Sequence, residues 1–152
     1  FGLETISLRY FNVFGPYQDP TSQYAAAIPA FVTSILNNEP PTIYGDGEQS
    51  RDFTYVDNVV EANLLAARAE HTAGDVVNIA CGEVVTVNEI IAMINASVGK
   101  NVKPVYTDSR PGDVKHSLAD ISQARKRIGF EPTVSFKAGL EMAIDWYRKN
   151  LM

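Results

Sequence analysis

The chain has 152 residues, 45% of them hydrophobic and 20% charged, and its 13 lysines and arginines against 18 aspartates and glutamates leave a net charge of -5. A chain this long buries roughly two-thirds of the surface its unfolded state exposes, which excludes disorder, and the acidic balance excludes broad binding to nucleic acid or anionic membranes. A single cysteine, Cys81, excludes an internal disulfide framework, and His71 and His116 alone offer no zinc-ligand spacing.

The chain opens on Phe1, and Gly2 suits the left-handed position just past a helix whose body would lie upstream. Thr5 to Phe11 reads as a strand, β-branched and aromatic, ended by Asn12, Gly15 and Pro16. From Tyr24 to Asn38, Ala27, Phe31 and Ile35 with Ile28, Val32 and Leu36 form one helical stripe, in which Pro29 predicts a kink or the true start. Thr42 to Tyr44 is a short strand leading to the turn Gly45-Asp46-Gly47-Glu48, and Arg51 to Tyr55 is another. Asp57 is expected to cap a helix reaching about Glu70, with Val60, Leu64 and Ala67 on one core face. Val76 to Ala80 then reads as a strand covered on both sides. Thr86-Val87-Asn88-Glu89 is a capping box opening a helix that Gly99 stops after Val98. Val102 to Tyr106 is expected at a sheet edge, since Pro104 cannot donate to a ladder. Asp120 is expected to cap a short helix ending at Ile128. Ser135 would cap the last one, whose Leu140, Ile144, Tyr147 and Leu151 share a side. Strands and helices alternate through short connections, so the fold class is α/β.

Much familiar α/β chemistry is missing. Gly45 and Gly47 approach G-x-G-x-x-G, but Ser50 stands at the third glycine and the segment joins two strands, so it is a turn and not a phosphate cradle. There is no G-x-x-x-x-G-K-[ST], G-x-S-x-G or H-E-x-x-H, and no tyrosine is followed four residues later by lysine.

What remains are groups suited to an anionic ligand. Asn12 ends a strand where α/β sheets bind ligands, although closing an Asx-turn is the simpler role. Tyr44 beside its turn could stack on a base, with Arg51 as a cation nearby; alternatively Tyr44 is core and Arg51 pairs with Asp52. Arg110-Pro111-Gly112-Asp113 is a rigid turn presenting a guanidinium suited to a diphosphate and a carboxylate suited to a ribose diol, or else a salt bridge. Cys81 reads as a small buried hydrophobe. Asn95-Ala96-Ser97 matches a glycosylation sequon inside a helix, an accidental match.

In order along the chain stand L-R-Y-F-N-V-F-G-P, Y-A-A-A-I-P, I-Y-G-D-G-E-Q-S-R-D-F-T-Y-V-D-N, V-N-I-A, T-V-N-E-I, R-P-G-D-V-K-H-S-L-A-D and a final W-Y. Together they resemble the extended short-chain dehydrogenase/reductases, the NAD-dependent epimerase/dehydratase family, and within it the UDP-N-acetylhexosamine 4-epimerases. The resemblance implies the C-terminal half of a Rossmann-type enzyme. Residues 1–22 and 57–82 would complete an upstream Rossmann sheet, and 23–56 and 83–152 would form a small mixed α/β substrate-binding domain. The NAD loop and the Tyr-x-x-x-Lys pair would lie upstream of Phe1, leaving no catalytic residue in this chain. It further implies that Asn12, Arg51 and Arg110 hold the diphosphate of a UDP-sugar such as UDP-GlcNAc, Asp113 its ribose, and Tyr44 its uracil, with backbone contacts from a turn around Ile28 and Pro29. Tyr10 would lie near the nicotinamide of NAD. Ser117 and Ala26, both small, would leave room for an N-acetyl group. The implied whole is a cytoplasmic homodimer with no nucleic-acid or membrane partner. A 4,6-dehydratase or decarboxylase of the same family is the alternative, as is a noncatalytic sugar-nucleotide-binding module.

Overall fold

The computed structural model describes residues 3–19 and 27–150. The expectations placed on Gly2, Tyr24 to Ala26 and Leu151 lie outside the described residues. Strand β1 (Ile6–Tyr10) is followed by β2 (Val13–Phe14), α1 (Ala27–Leu36), β3 (Thr42–Tyr44), β4 (Ser50–Arg51), β5 (Thr54–Tyr55) and α2 (Val56–Arg68). The chain continues through β6 (Asp75–Ile79), β7 (Val85–Thr86), α3 (Val87–Val98), β8 (Val105–Thr107), β9 (His116–Ser117), α4 (Ser122–Ile128) and α5 (Phe136–Asn150). The α/β class read from the sequence is what the structure has.

The strands pair in four small groups. β1 runs parallel to β6, with Ile6 opposite Asp75 and Tyr10 opposite Ile79. β2 pairs with β5 and β3 with β8, both parallel. β4 lies between antiparallel β7 and parallel β9. No described helix is long and apolar enough to cross a membrane.

Of three hydrophobic clusters among the described residues, the smallest is Ala80, Ala119 and Ile121 with Phe11 packed on it, and the two larger ones are built on helices. In the larger, α1, α3 and α5 pack around Phe14, Phe53, Tyr55 and Phe136, with Phe136 at 5.5 Å from both Phe14 and Phe53. The Tyr147 hydroxyl, buried in this core, donates to the Gly15 and Gln18 carbonyls and ties α5 to the segment after β2. The smaller core joins Val77 and Ile79 of β6 to Ala62 of α2, Ala124 and Ile128 of α4, and Phe130.

Several local expectations are corrected. The strand expected over residues 51–55 breaks into β4 and β5, because the Asp52 side chain turns inward to long-range partners and the chain changes sheets there. Tyr55, not Asp57, is the N-cap of α2; Asp57 sits in the first turn, where its charge still favours the dipole. Asp120 likewise precedes the cap of α4, accepting from the Ser122 N–H at 2.8 Å while Ile121 holds the cap position. Pro29 is the third residue of α1, a position helices tolerate because first-turn N–H groups have no intrahelical partner. Pro104 precedes β8, which begins at Val105. β6 is covered on one face only among the described residues: Val77 and Ile79 are buried while Val76 is exposed. Lys100, unmarked in the sequence, donates to the Ile35 and Leu36 carbonyls and closes α1.

The capping box of α3 is present in full, with the Thr86 hydroxyl accepting from the Glu89 N–H and the Glu89 carboxylate accepting from the Thr86 N–H. Ser135 also caps as expected, its hydroxyl accepting from Ala138 at 3.3 Å. Thr86→Ala is expected to lower the unfolding free energy by about 0.5–2 kcal/mol, read from urea denaturation. The bonds from Thr86 hold the Glu89 carboxyl below its ordinary value, so its share of stability is present at neutral pH and lost as pH falls through that lowered value. Glu89→Gln should therefore flatten the acid limb of the stability profile.

Candidate functional site

Tyr44 ends β3, and the turn after it uses two left-handed glycines, Gly45 at φ +90 and Gly47 at φ +78. A Cβ on Gly47 would stand 2.1 Å from the Asn88 side-chain oxygen. Asn88 opens α3 and donates to the Asp46 carbonyl and the Glu48 carboxylate, while Tyr106 donates to Asn88. The glycines thus admit a side chain that bolts the turn to α3, and no phosphate is cradled there. The bolted turn fixes Tyr44, which is 40% exposed and not core, with the Arg110 guanidinium 3.9 Å above its ring centre.

Arg51 points the same way from β4. Its guanidinium donates to the Ser50 and Lys115 carbonyls and lies 3.8 Å from the Asp113 carboxylate. The pairing of Arg51 with Asp52 considered from the sequence is not formed, nor is a bridge between Arg110 and Asp113. Asp113 instead closes its turn by donating its N–H to the Arg110 carbonyl and turns its carboxylate to Arg51.

Asn12 lies at φ +36, a left-handed conformation that asparagine bears better than most residues. Its side chain does not close a local Asx-turn but donates to the Asp52 carbonyl at 2.8 Å. That bond leaves the second amide hydrogen and the carbonyl oxygen for other partners.

These groups converge. A cavity of about 450 Å³ is lined by Asn12, Tyr44, Arg51, Arg110 and Asp113. A second concavity of about 420 Å³ shares Asn12, Arg51 and Asp113 with it and adds Tyr10 and Ser117. Adjoining at these shared residues, the two are read together as an elongated cleft, with an aromatic end at Tyr44, a waist carrying a guanidinium, a carboxylate and an amide, and a far end at Arg9, Tyr10 and Ser117. Tyr10 is exposed and donates from its hydroxyl to Asn63 at 3.0 Å.

Ile28 and Pro29 lie within α1 rather than in a turn, and Ile28 is buried in the core. Ala27, Ala30 and Phe31 line the cavity instead. Ala26 lies outside the described residues. Gln49 was missed: it lines the cavity and donates to the Tyr44 carbonyl at 2.8 Å. Its spacing of two from Arg51, which puts both on one side of an extended chain, was the available signal.

Other chemistry is scarce. Burial, then Asp52 and Glu83, push the Cys81 thiol up to about 11, so it holds no thiolate at neutral pH. Among the described residues no group of His, Cys, Asp and Glu could hold a metal. A groove of about 500 Å³ along β1 and α2 is lined by no basic side chain and is not suited to an anion.

Residues 1–80 match the model of the NAD dependent epimerase/dehydratase family. The chain is similar to UDP-glucose 4-epimerase of Thermotoga maritima, solved with UDP-glucose, at 40% identity and a TM-score of 0.93, over 99% of this chain and 48% of that one. A UDP-N-acetylglucosamine 4-epimerase of Methanobrevibacter ruminantium, solved with UDP-N-acetylmuramic acid, is 46% identical with a TM-score of 0.91, over 97% of this chain and 47% of that one. The UDP-glucuronate 4-epimerase of Thermodesulfobacterium geofontis is 33% identical over 99% of this chain and 45% of its own length. The chain spans about half the length of the curated relatives it matches, and its fold is that of their C-terminal half.

The turn offers a direct check. Gly47→Ala adds a clash with Asn88 to a strained φ, whereas Gly45→Ala meets nothing nearer than 3.6 Å. Gly47→Ala is expected to lose about 1–3 kcal/mol more stability than Gly45→Ala in denaturant unfolding.

Proposed function

This chain belongs to the NAD dependent epimerase/dehydratase family, and from that premise we propose that it is the nucleotide-sugar-binding portion of a UDP-hexose or UDP-N-acetylhexosamine 4-epimerase. The observation that carries this reading is the elongated cleft, whose waist of Asn12, Arg51 and Asp113 is common to an aromatic end at Tyr44 and a far end bordered by Arg9, Tyr10 and Ser117. A UDP-sugar has the same sequence of chemistry: a flat base, a charged diphosphate and a polar ring. Tyr44 would face the uracil, Asn12, Arg51 and Arg110 the diphosphate, and Asp113 the ribose. Ser117 would border the sugar.

Bound NAD would supply the acceptor, and then the donor, of a hydride at the sugar C4. This chain's own fit to NAD is limited. It has no glycine-rich loop opening a helix, its closest approximation being the turn filled by Asn88. Tyr10, at the end of β1, is the residue proposed to border the nicotinamide. The base and the phosphate loop would then come from the rest of the protein, with residues 1–22 and 57–82 completing that sheet. The 152-residue chain by itself would turn nothing over. Its task is to hold the nucleotide while the ring, oxidised at C4, turns within the far end of the cleft.

Hydrogen bonds to charged groups contribute about 1.5–3 kcal/mol each, which is about tenfold to a hundredfold in affinity. Arg110→Ala in the full-length protein is expected to weaken UDP binding by that factor in calorimetric titration; unchanged affinity would overturn its place in the clamp. Ser117→Tyr is expected to lower turnover of UDP-GlcNAc at least about tenfold while sparing UDP-glucose, since overfilling a pocket costs about 1–3 kcal/mol. Equal loss of both substrates would sink the assignment of Ser117. Formation of a 6-deoxy-4-keto product instead of an epimer would overturn the reaction type.

A further inference from the structure

Asp52 lies beside the cleft without lining it. The residue is 0% exposed, and its carboxylate faces no cation among the described residues. One oxygen accepts from the Cys81 N–H at 3.0 Å, the other from Gly82 at 3.0 Å and Ala119 at 3.3 Å. Its backbone carbonyl accepts from the Asn12 side chain, and the Asn12 carbonyl accepts from Thr54 at 3.3 Å. Four stretches of chain therefore meet at one residue: the end of β1, the break between β4 and β5, the end of β6, and the end of β9.

A buried carboxylate is a poor device for stability alone. Removing its charge from water is unfavourable, and a well-packed apolar side chain often does as well or better. What the carboxylate does that an apolar group cannot is fix directions, since its two oxygens together take backbone N–H groups from the ends of two strands, Cys81 and Gly82 after β6 and Ala119 after β9. The segments that meet at Asp52 carry the waist and the far end of the cleft. Arg51 adjoins Asp52 in the chain. The Asn12 side chain donates to the Asp52 backbone carbonyl, and the Asn12 carbonyl accepts from Thr54 two residues on. Ser117 lies two residues before Ala119 and opposite Arg51 in the β4–β9 register.

We propose that Asp52 is a positioning residue for the clamp: its buried carboxylate and carbonyl lock four chain segments so that Asn12, Arg51 and Ser117 face a single ligand. The proposal rests on reading the cleft as a UDP-sugar site. It gives Asp52 no contact with substrate. Losing the lock should loosen ligand binding and leave the chemistry of bound substrate nearly intact.

The test uses the full-length protein and Asp52→Asn, which puts an amide NH₂ against a backbone N–H. At a temperature where the variant keeps the wild-type near-ultraviolet circular dichroism, the Kd for UDP and the KM for UDP-GlcNAc are expected to rise at least tenfold, with kcat within threefold. A lowered Tm with the Kd for UDP within twofold of wild type would reduce Asp52 to a structural role and overturn the proposal. Wild type failing to bind UDP would overturn the reading of the cleft as well. Should Asp52→Asn not fold, hydrogen exchange of the wild type decides. Coupling between the clamp and the lock is reciprocal, so saturating UDP must slow exchange of the Cys81, Gly82 and Ala119 amides at least tenfold more than that of Lys100 beyond α3. Equal protection at all four positions would overturn it.

Discussion

A buried carboxylate neutralised only by backbone N–H groups is the constraint around which this structure is arranged. Asp52 stands where an otherwise continuous strand has to change sheets, and its bonds to Cys81, Gly82 and Ala119 replace the ladder that the change forfeits. Just beyond it, Phe53 and Tyr55 enter the larger core, while Cys81 continues from the β6 strand that anchors the smaller one. The site lies where the two cores are joined. Burial raises the Asp52 carboxyl above its ordinary range even against three donors. Such a group favours the fold less as pH rises through the raised value, the opposite of Glu89, Asp46 and Asp120, whose lowered values make acid the unfavourable direction. The acid-sensitive carboxylates are thus the capping and turn groups on the surface.

Net charge poses a second constraint, which the site meets locally. An acidic protein that holds an anion must keep cations available without leaving them to close on strong partners. Arg51 keeps its Nη1 on the Ser50 and Lys115 carbonyls and leaves its Nη2 3.8 Å from a half-exposed Asp113, a distance too long for a hydrogen bond. Arg110 rests on the face of Tyr44, an interaction of about 0.5–1 kcal/mol at an exposed site. Both resting partners are weak compared with a bidentate anion, so exchanging them for a diphosphate is favourable. On the proposed reading the same exchange uncovers the Tyr44 ring and releases Asp113 toward a sugar hydroxyl.

How much could be read from the sequence followed from the range of each interaction. The capping box at Thr86, the Ser135 cap and the stripes of α1 and α5 depend on residues near one another in the chain and stand as expected, whereas the α2 face of Val60, Leu64 and Ala67 is exposed, and Asn58 and Ala62 are the residues that helix buries. Cap positions at Asp57 and Asp120 missed by one or two residues, because an acidic side chain in or just before the first turn answers the same dipole as one at the cap. The break at Asp52, the closure of α1 by Lys100 and the Asn88 bolt join residues 29 to 67, 64 to 65 and 40 to 42 positions apart, and no local pattern signals them. The cleft was legible by its residue types, Asn12, Tyr44, Arg51, Arg110 and Asp113, but not by its shape. Ile28 and Pro29 lie in α1 and not in the turn read for them, because the apolar stripe that turns Ile28 inward carries the helix through both.

The shape bears most directly on function. An epimerisation of the proposed kind asks a binding site to keep its grip while the ring it handles presents first one face and then the other. Contacts to the ring would have to be broken at each turn, so interactions that hold substrate throughout belong on the part that does not move. Here Arg51, Arg110, the Asp113 carboxylate and the Tyr44 ring lie at the waist and the Tyr44 end, while the far end is bordered by Arg9, Tyr10 and Ser117. On the proposed reading the grip on the nucleotide belongs to the first end and the turning of the ring to the second. A small side chain at Ser117 would then matter more than a strong one: extra volume there would hinder rotation and fit together, without strengthening the grip that the waist provides.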